Sequence, residues 1–175
     1  MWPDSGLPAK EPAVFCEAAR MRRWIAVVER WALALWVGSL AGFAFVLAPI
    51  TFGQLRGDLD AFAAIVGRSL GALAVLGYAC GAATLVTSGA QIFRTRSRAA
   101  IARAGCIAVM LALVAFSQQA VVPEMIATQE SFHGSFNSVA KEDPRRVRYD
   151  ALHAESSRVY GAVLILGLVA IALSQ

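Results

Sequence analysis

An all-α integral membrane bundle of four helices is the fold class that this sequence predicts. Two observations predict it. Four stretches contain no Asp, Glu, Lys or Arg: Trp31 to Leu55, Ser69 to Phe93, Ala104 to Pro123 and Val159 to Gln175. About 20 apolar residues, each rising about 1.5 Å, cross a hydrocarbon core roughly 30 Å thick. The composition agrees, being 58% hydrophobic with a mean hydropathy of +0.58. The spans use most of the 175 residues, so one four-helix unit without a separate soluble domain is expected.

The N-terminal tail and an interfacial helix occupy residues 1–23, and a four-helix transmembrane domain occupies 24–175. Pro3, Pro8 and Pro12 make the first dozen residues irregular, with Pro12 suited to a helix start. Val14, Ala18, Met21, Ile25 and Val28 then recur at a helical period beside Arg20, Arg22 and Arg23. This pattern reads as an interfacial lead-in to the first span. The first apolar run is too long for a signal-peptide core of about 7–15 residues, so it reads as a retained anchor.

Span one covers 31–52 and ends near Pro49 and Phe52. A short polar connection with Arg56, Asp58 and Asp60 follows. Span two covers 66–93, and Phe62, Ile65 and Val66 already continue the helical pattern before it. Arg94, Arg96, Arg98 and Arg103 sit between spans two and three, with no acid among them. Span three covers 104–123. Met125, Phe132, Phe136 and Val139 then fall on one helical face, as in a segment lying along the membrane surface. Asp143-Pro144 is a helix start, because Asp caps free N–H groups and Pro fits the first turn. Span four, 156–174, therefore belongs to a helix beginning near residue 144.

Basic residues set the expected orientation. Lys10, Arg20, Arg22, Arg23 and Arg30 share a side with the four arginines between spans two and three. The positive-inside rule places that side, and both termini, in the cytoplasm. Arg145, Arg146 and Arg148 fall on the other side. A bacterial inner membrane is the expected location. The net charge of +4 comes mostly from residues flanking the spans, where they meet lipid head groups rather than nucleic acid.

Gly38 and Gly42, Gly67 and Gly71, and Gly77 and Gly81 are each four apart, and Ala104, Ala108 and Ala112 repeat at the same spacing. Small residues so placed let helices approach closely in lipid. Packing within the bundle is the expected use, with a homo-oligomer or a membrane-protein partner as the alternative. Cys16, Cys80 and Cys106 form no paired motif and read as small packing residues.

Polar residues within a membrane bundle are functional candidates, because burying them costs free energy. At the end away from the termini these are Arg68, Gln118, Gln119, Glu124, Tyr149, His153, Ser156 and Tyr160. Tyr149, His153, Ser156 and Tyr160 are spaced by four, three and four, as on one helix face. Such a rim could hold an ion, an anionic head group or a polar solute. His153 and the tyrosines also suit a water interface, Arg68 and Arg158 suit snorkelling, and His133 suits a solvated loop. His133 and His153 are the only histidines and neither lies mid-span. Haem held by two histidines does not fit that placing, and a single axial histidine is the remaining haem arrangement. Copper lacks a His, Met or Cys set. No cofactor is favoured, and no phosphate-binding loop, GxSxG or HExxH is present.

The stretch from Leu33 to Phe52 resembles the first helix of a small membrane-protein family, a domain of unknown function similar to transmembrane protein 205. Trp36, Gly38, Ala48, Pro49 and Phe52 match its Trp-x-Gly, Ala-Pro and Phe pattern, and Gly42 lies within the stretch. Leu152, His153 and Ser156 match a later Leu-His-x-x-Ser. Tyr160 stands where that pattern has Asn. The resemblance implies a four-helix membrane protein with no established enzymatic activity. Its eukaryotic members are linked with handling toxic metal drugs, and it transfers no metal ligand to this chain. A second resemblance, to the copper-resistance D-like membrane domain, rests on the early Trp-x-Gly and lacks the histidines. The expected role is binding, transport or accessory work at the outer rim. A haem or copper oxidoreductase and a structural subunit are the alternatives.

Overall fold

Residues 12–95, 97–132 and 135–174 are described by a computed structural model, with the side chains of residues 12–19, 22 and 95 outside that description. The expectations for Pro3, Pro8 and His133 fall outside the described residues. Helix α1 (Pro12–Gly42) runs through a π turn (Phe43–Leu47) into α2 (Ala48–Gln54). The lead-in and the first span are thus one continuous rod. Helix α3 (Leu59–Thr95) returns. Helix α4 (Arg98–Phe116) passes through a second π turn (Ser117–Val121) into α5 (Val122–Glu130). After a 3-10 turn at Phe136–Ser138, α6 (Pro144–Ala172) completes the bundle. Each of the four rods is long and apolar enough to cross a membrane.

The outward faces of the rods carry large apolar side chains. Phe93 is 91% exposed, Val86 74% and Phe45 71%, and a water-soluble bundle would place polar residues there. Inside, one core cluster gathers Leu33, Trp36 and Leu40 of α1, Ile107, Met110 and Val114 of α4, Ala74 and Cys80 of α3, and Val163 and Ala170 of α6. Cys106 packs against this core. Helix α1 neighbours α3 and α6, and α4 neighbours the same two, so α1 and α4 face each other diagonally.

Glycine contacts divide sharply. A Cβ on Gly77 would lie 2.6 Å from Nε1 of the buried Trp36, and one on Gly81 would lie 2.6 Å from a Leu111 methyl. One on Gly167 would collide with Val37. The expected close packing is therefore realised at Gly77 and Gly81. Gly38, Gly42, Gly67 and Gly71 instead face open space, and Ala108 and Ala112 are exposed.

The two hairpins repeat one pattern. Glu29, Leu33, Trp36 and Leu40 are the inward residues of α1. Arg103, Ile107, Met110 and Val114, each 74 positions later, are those of α4. The same step carries the first π turn onto the second and Pro49 onto Pro123. It also carries Val37, which meets Gly167, onto Leu111, which meets Gly81. The π turns have a local cause. Proline lacks an N–H and its ring crowds the carbonyl four residues back, so each rod widens by one residue just before its proline.

Far from the termini, the two connections are stapled together. Asp60 accepts hydrogen bonds from the Ser135 hydroxyl at 2.8 Å and the Phe136 N–H at 3.1 Å, and Asn137 donates to the Gly57 carbonyl at 2.6 Å. Phe132, Phe136 and Tyr149 form an aromatic cluster beside them, and Arg146 lies 3.8 Å above the Phe136 ring. Helix α6 starts at Pro144, with Asp143 accepting from the Arg145 N–H at 2.9 Å, as the Asp-Pro pair predicts.

Candidate functional site

Among the described residues, the buried charges Glu29 and Arg103 lie at the end where α1 begins and α6 finishes. Glu29 is 2% exposed and Arg103 is 5% exposed, within a bundle whose walls are otherwise apolar. Arg103 Nε stands 2.9 Å from Glu29 Oε1. The Ser88 hydroxyl donates to Glu29 Oε1 at 2.7 Å, and Gln91 Nε2 donates to Oε2 at 3.0 Å. Arg103 Nη2 donates to Gln91 Oε1 at 2.6 Å, closing a ring through α1, α3 and α4. Arg30 extends the tie to the fourth rod by donating to the Ser174 carbonyl at 2.9 Å.

Local sequence dictates this placing. Glu29 sits four residues before Leu33 and seven before Trp36, so a regular helix turns all three inward. Arg103 has the same relation to Ile107 and Met110. Removing two charges from water costs several kcal/mol per ion, and only close pairing with further hydrogen bonds offsets it. Ser88 and Gln91 provide those bonds.

A cavity of about 340 Å³ opens beside the pair. Its walls include Glu29 and Arg30, Gln91, the first turn of α4 at Ala99 and Ala100, and Ser174. From Glu29 to Pro49, and from Arg103 to Pro123, each rod climbs 20 residues, roughly the thickness of a hydrocarbon core. The network therefore lies at one edge of that core. Trp24 and Trp31, 62% and 73% exposed, flank Arg30 on α1 and mark the same level.

At the other end the rim residues split into separate contacts. Gln118 donates to the Tyr160 hydroxyl at 3.0 Å. Glu124 pairs with Arg148, both exposed. Tyr149 belongs to the Phe132–Phe136 cluster. Ser156 is buried, while Arg68 and His153 are exposed, and the His153 carbonyl accepts from the Ser157 hydroxyl at 2.9 Å. The inward face of α6 runs through Leu152, Ser156, Val159 and Val163, which turns His153 outward. The Ser117 hydroxyl, in the second π turn, is buried without a partner among the described residues. Among the described residues no group of three or more His, Cys, Asp or Glu could hold a metal ion.

Sequence reasoning missed the Glu29–Arg103 network because both residues stand just outside the charge-free runs. The signal that finds them is phase: each charge continues an inward apolar stripe by one further turn.

No curated protein and no solved structure matches the chain. A family model described as a domain of unknown function (DUF4149) matches residues 31–133. The matched region holds Trp36, Gly38, Pro49 and Phe52, together with Ser88, Gln91 and Arg103, and stops short of His153. It covers more than half of the sequence, and the chain belongs to that family, the domain of unknown function DUF4149.

Proposed function

We propose that this integral membrane protein binds a small polar solute or ion in the cavity beside Glu29 and Arg103, serving a binding, transport or accessory role. One observation carries the reading: an ion pair removed from water inside an apolar bundle borders an open cavity. Ionisable residues inside a membrane bundle are expensive and mark ligand or ion pathways. The repeated hairpins add weight, because the pair joins one half of the chain to the other. Arg103 and Glu29 come from opposite halves. In this reading the site differs from the outer rim suggested by the sequence alone.

The cavity end carries the N-terminal flank and the α3–α4 connection, both rich in arginine, so it is assigned to the cytoplasmic face of a bacterial inner membrane. Kinship with transmembrane protein 205 belongs to the same proposal and rests on Trp36, Gly38, Pro49, Phe52, Leu152, His153 and Ser156.

Thermal unfolding of the detergent-purified protein against chloride, phosphate, acetate, glycine, choline and sodium tests the function. A ligand selective for the folded state raises its stability by mass action. The expected result is a solute that raises the Tm of the wild type and fails to do so for Arg103→Lys. If every solute shifts both proteins alike, the pair is only a structural clamp.

A further inference from the structure

The cavity walls define a class of ligand. A guanidinium offers five N–H donors. Arg103 spends Nε and Nη2 within the network, and its Nη1 has no hydrogen-bond partner among the described residues. Arg30 spends one Nη2 bond on Ser174, and its Nε and Nη1 have no partner among those residues. Both side chains border the cavity. Glu29 also borders it, but its carboxylate is occupied by Ser88, Gln91 and Arg103 and cancels the Arg103 charge. Among the described residues no carboxylate pairs with Arg30, so its charge is left over. The first turn of α4 forms another wall, and its N-cap Ser97 makes no side-chain cap bond. The first N–H groups of a helix favour an anion.

We infer that this cavity holds a phosphate-type oxyanion between Arg30 and Arg103, with the phosphate of an anionic lipid head group and free inorganic phosphate as its two sources. This rests on reading the cavity as the binding site. Guanidinium forks match phosphate oxygens in charge and shape. The cavity stands at the level of Trp24 and Trp31, where lipid phosphates lie, and basic pockets between membrane helices bind anionic head groups.

The full-length protein in phosphatidylcholine nanodiscs tests this. Cys16, Cys80 and Cys106 are replaced by alanine, and Ala99→Cys places one thiol on the cavity wall. Maleimide labelling is timed without addition, with soluble short-chain phosphatidylglycerol, with inorganic phosphate, and with choline or glycine as non-anionic solutes. Protection by phosphatidylglycerol alone identifies a head group, and protection by both phosphate species identifies a free oxyanion; either supports the inference. Arg30→Gln should then weaken the protecting species about tenfold, the loss of one charge-assisted bond. Its exposed position leaves folding intact, which gel filtration checks. Labelling indifferent to both phosphate species overturns the inference, as does protection that survives Arg30→Gln. Protection by choline or glycine alone overturns the oxyanion while keeping the cavity as a site. A thiol that never labels sinks the cavity reading as well.

Discussion

Glu29 and Arg103 stand 2.9 Å apart and hold the same place in the two halves of the chain. One half presents the acid and the other the base at one shared position, and the two meet across the bundle diagonal. Above them Leu33, Trp36 and Leu40 match Ile107, Met110 and Val114 as buried residues, and the two rods widen at equivalent turns and carry equivalent prolines. The charged pair is thus a place where the repeat becomes strongly asymmetric, and the second π turn, which buries Ser117 where the first carries Phe43, is another.

Removing one partner should cost more than removing both. Arg103→Leu leaves the Glu29 carboxylate buried with only Ser88 and Gln91, and Glu29→Leu strands the guanidinium. Breaking a buried pair from one side costs about 3–5 kcal/mol, whereas replacing both partners by apolar residues is nearly neutral. Denaturant unfolding in detergent should show each single variant strongly destabilised and the Glu29→Leu, Arg103→Leu double variant close to wild type. A double variant as unstable as either single one would contradict this.

Glycine substitutions should separate by position. Gly77→Ala drives a methyl into the Trp36 indole, whose ring is buried and unable to yield, at a cost of about 1–3 kcal/mol. Gly38→Ala meets nothing within 4 Å and gains helix propensity, so it should be neutral or stabilising by up to about 1 kcal/mol. Thermal unfolding of the two variants side by side checks the contrast. Equal losses would mean that Gly38 packs against something outside this chain.

Much of this fold is legible in the sequence, and the physical reason is simple. A rod in lipid must lack charge for its whole length, so Trp31 to Leu55 and its three counterparts announce themselves. The α6 start is legible because Asp143 and Pro144 act locally. The partner of Glu29 is not legible, because pairing across a diagonal depends on how four rods rotate about their axes. The same rotation decides that Gly77 meets Trp36 while Gly67 meets nothing. His153 shows the limit of spacing arguments: it shares a rough face with Tyr149 and Ser156, but one residue of phase turns Leu152 inward in its place.

The α6 cap should resist acid. Bonds from the Arg145 side chain and backbone N–H hold the Asp143 carboxyl down to about 2, below its ordinary value of 3.8. A depressed carboxyl contributes stability above the unfolded value, and that contribution fades only as pH falls through the folded value. An NMR titration should find the Asp143 midpoint near 2, with the first turn of α6 still ordered at pH 3. Arg145→Ala should raise the midpoint toward 3.8. A wild-type midpoint already at the ordinary value would show that the cap bonds do not persist in solution.

Exchanging the charges gives the sharpest test of the repeat. Glu29→Arg alone puts two guanidiniums together in the interior, and Arg103→Glu alone puts two carboxylates there. Each should destabilise by at least the roughly 3–5 kcal/mol of a broken buried pair. The double exchange restores one charge of each sign. The surrounding polar groups can invert with it, because a hydroxyl and an amide both donate and accept. Ser88 would rotate, Gln91 would flip its amide, and the cavity beside residue 29 would take the longer side chain. A double-mutant cycle measured by unfolding should therefore show a coupling of about 2–3 kcal/mol in favour of the exchanged pair, at the upper end of what contacting residues display. A double variant no better than the sum of its parts would mean that Glu29 and Arg103 are fixed by their own surroundings and that their equivalence in the two hairpins has no energetic content.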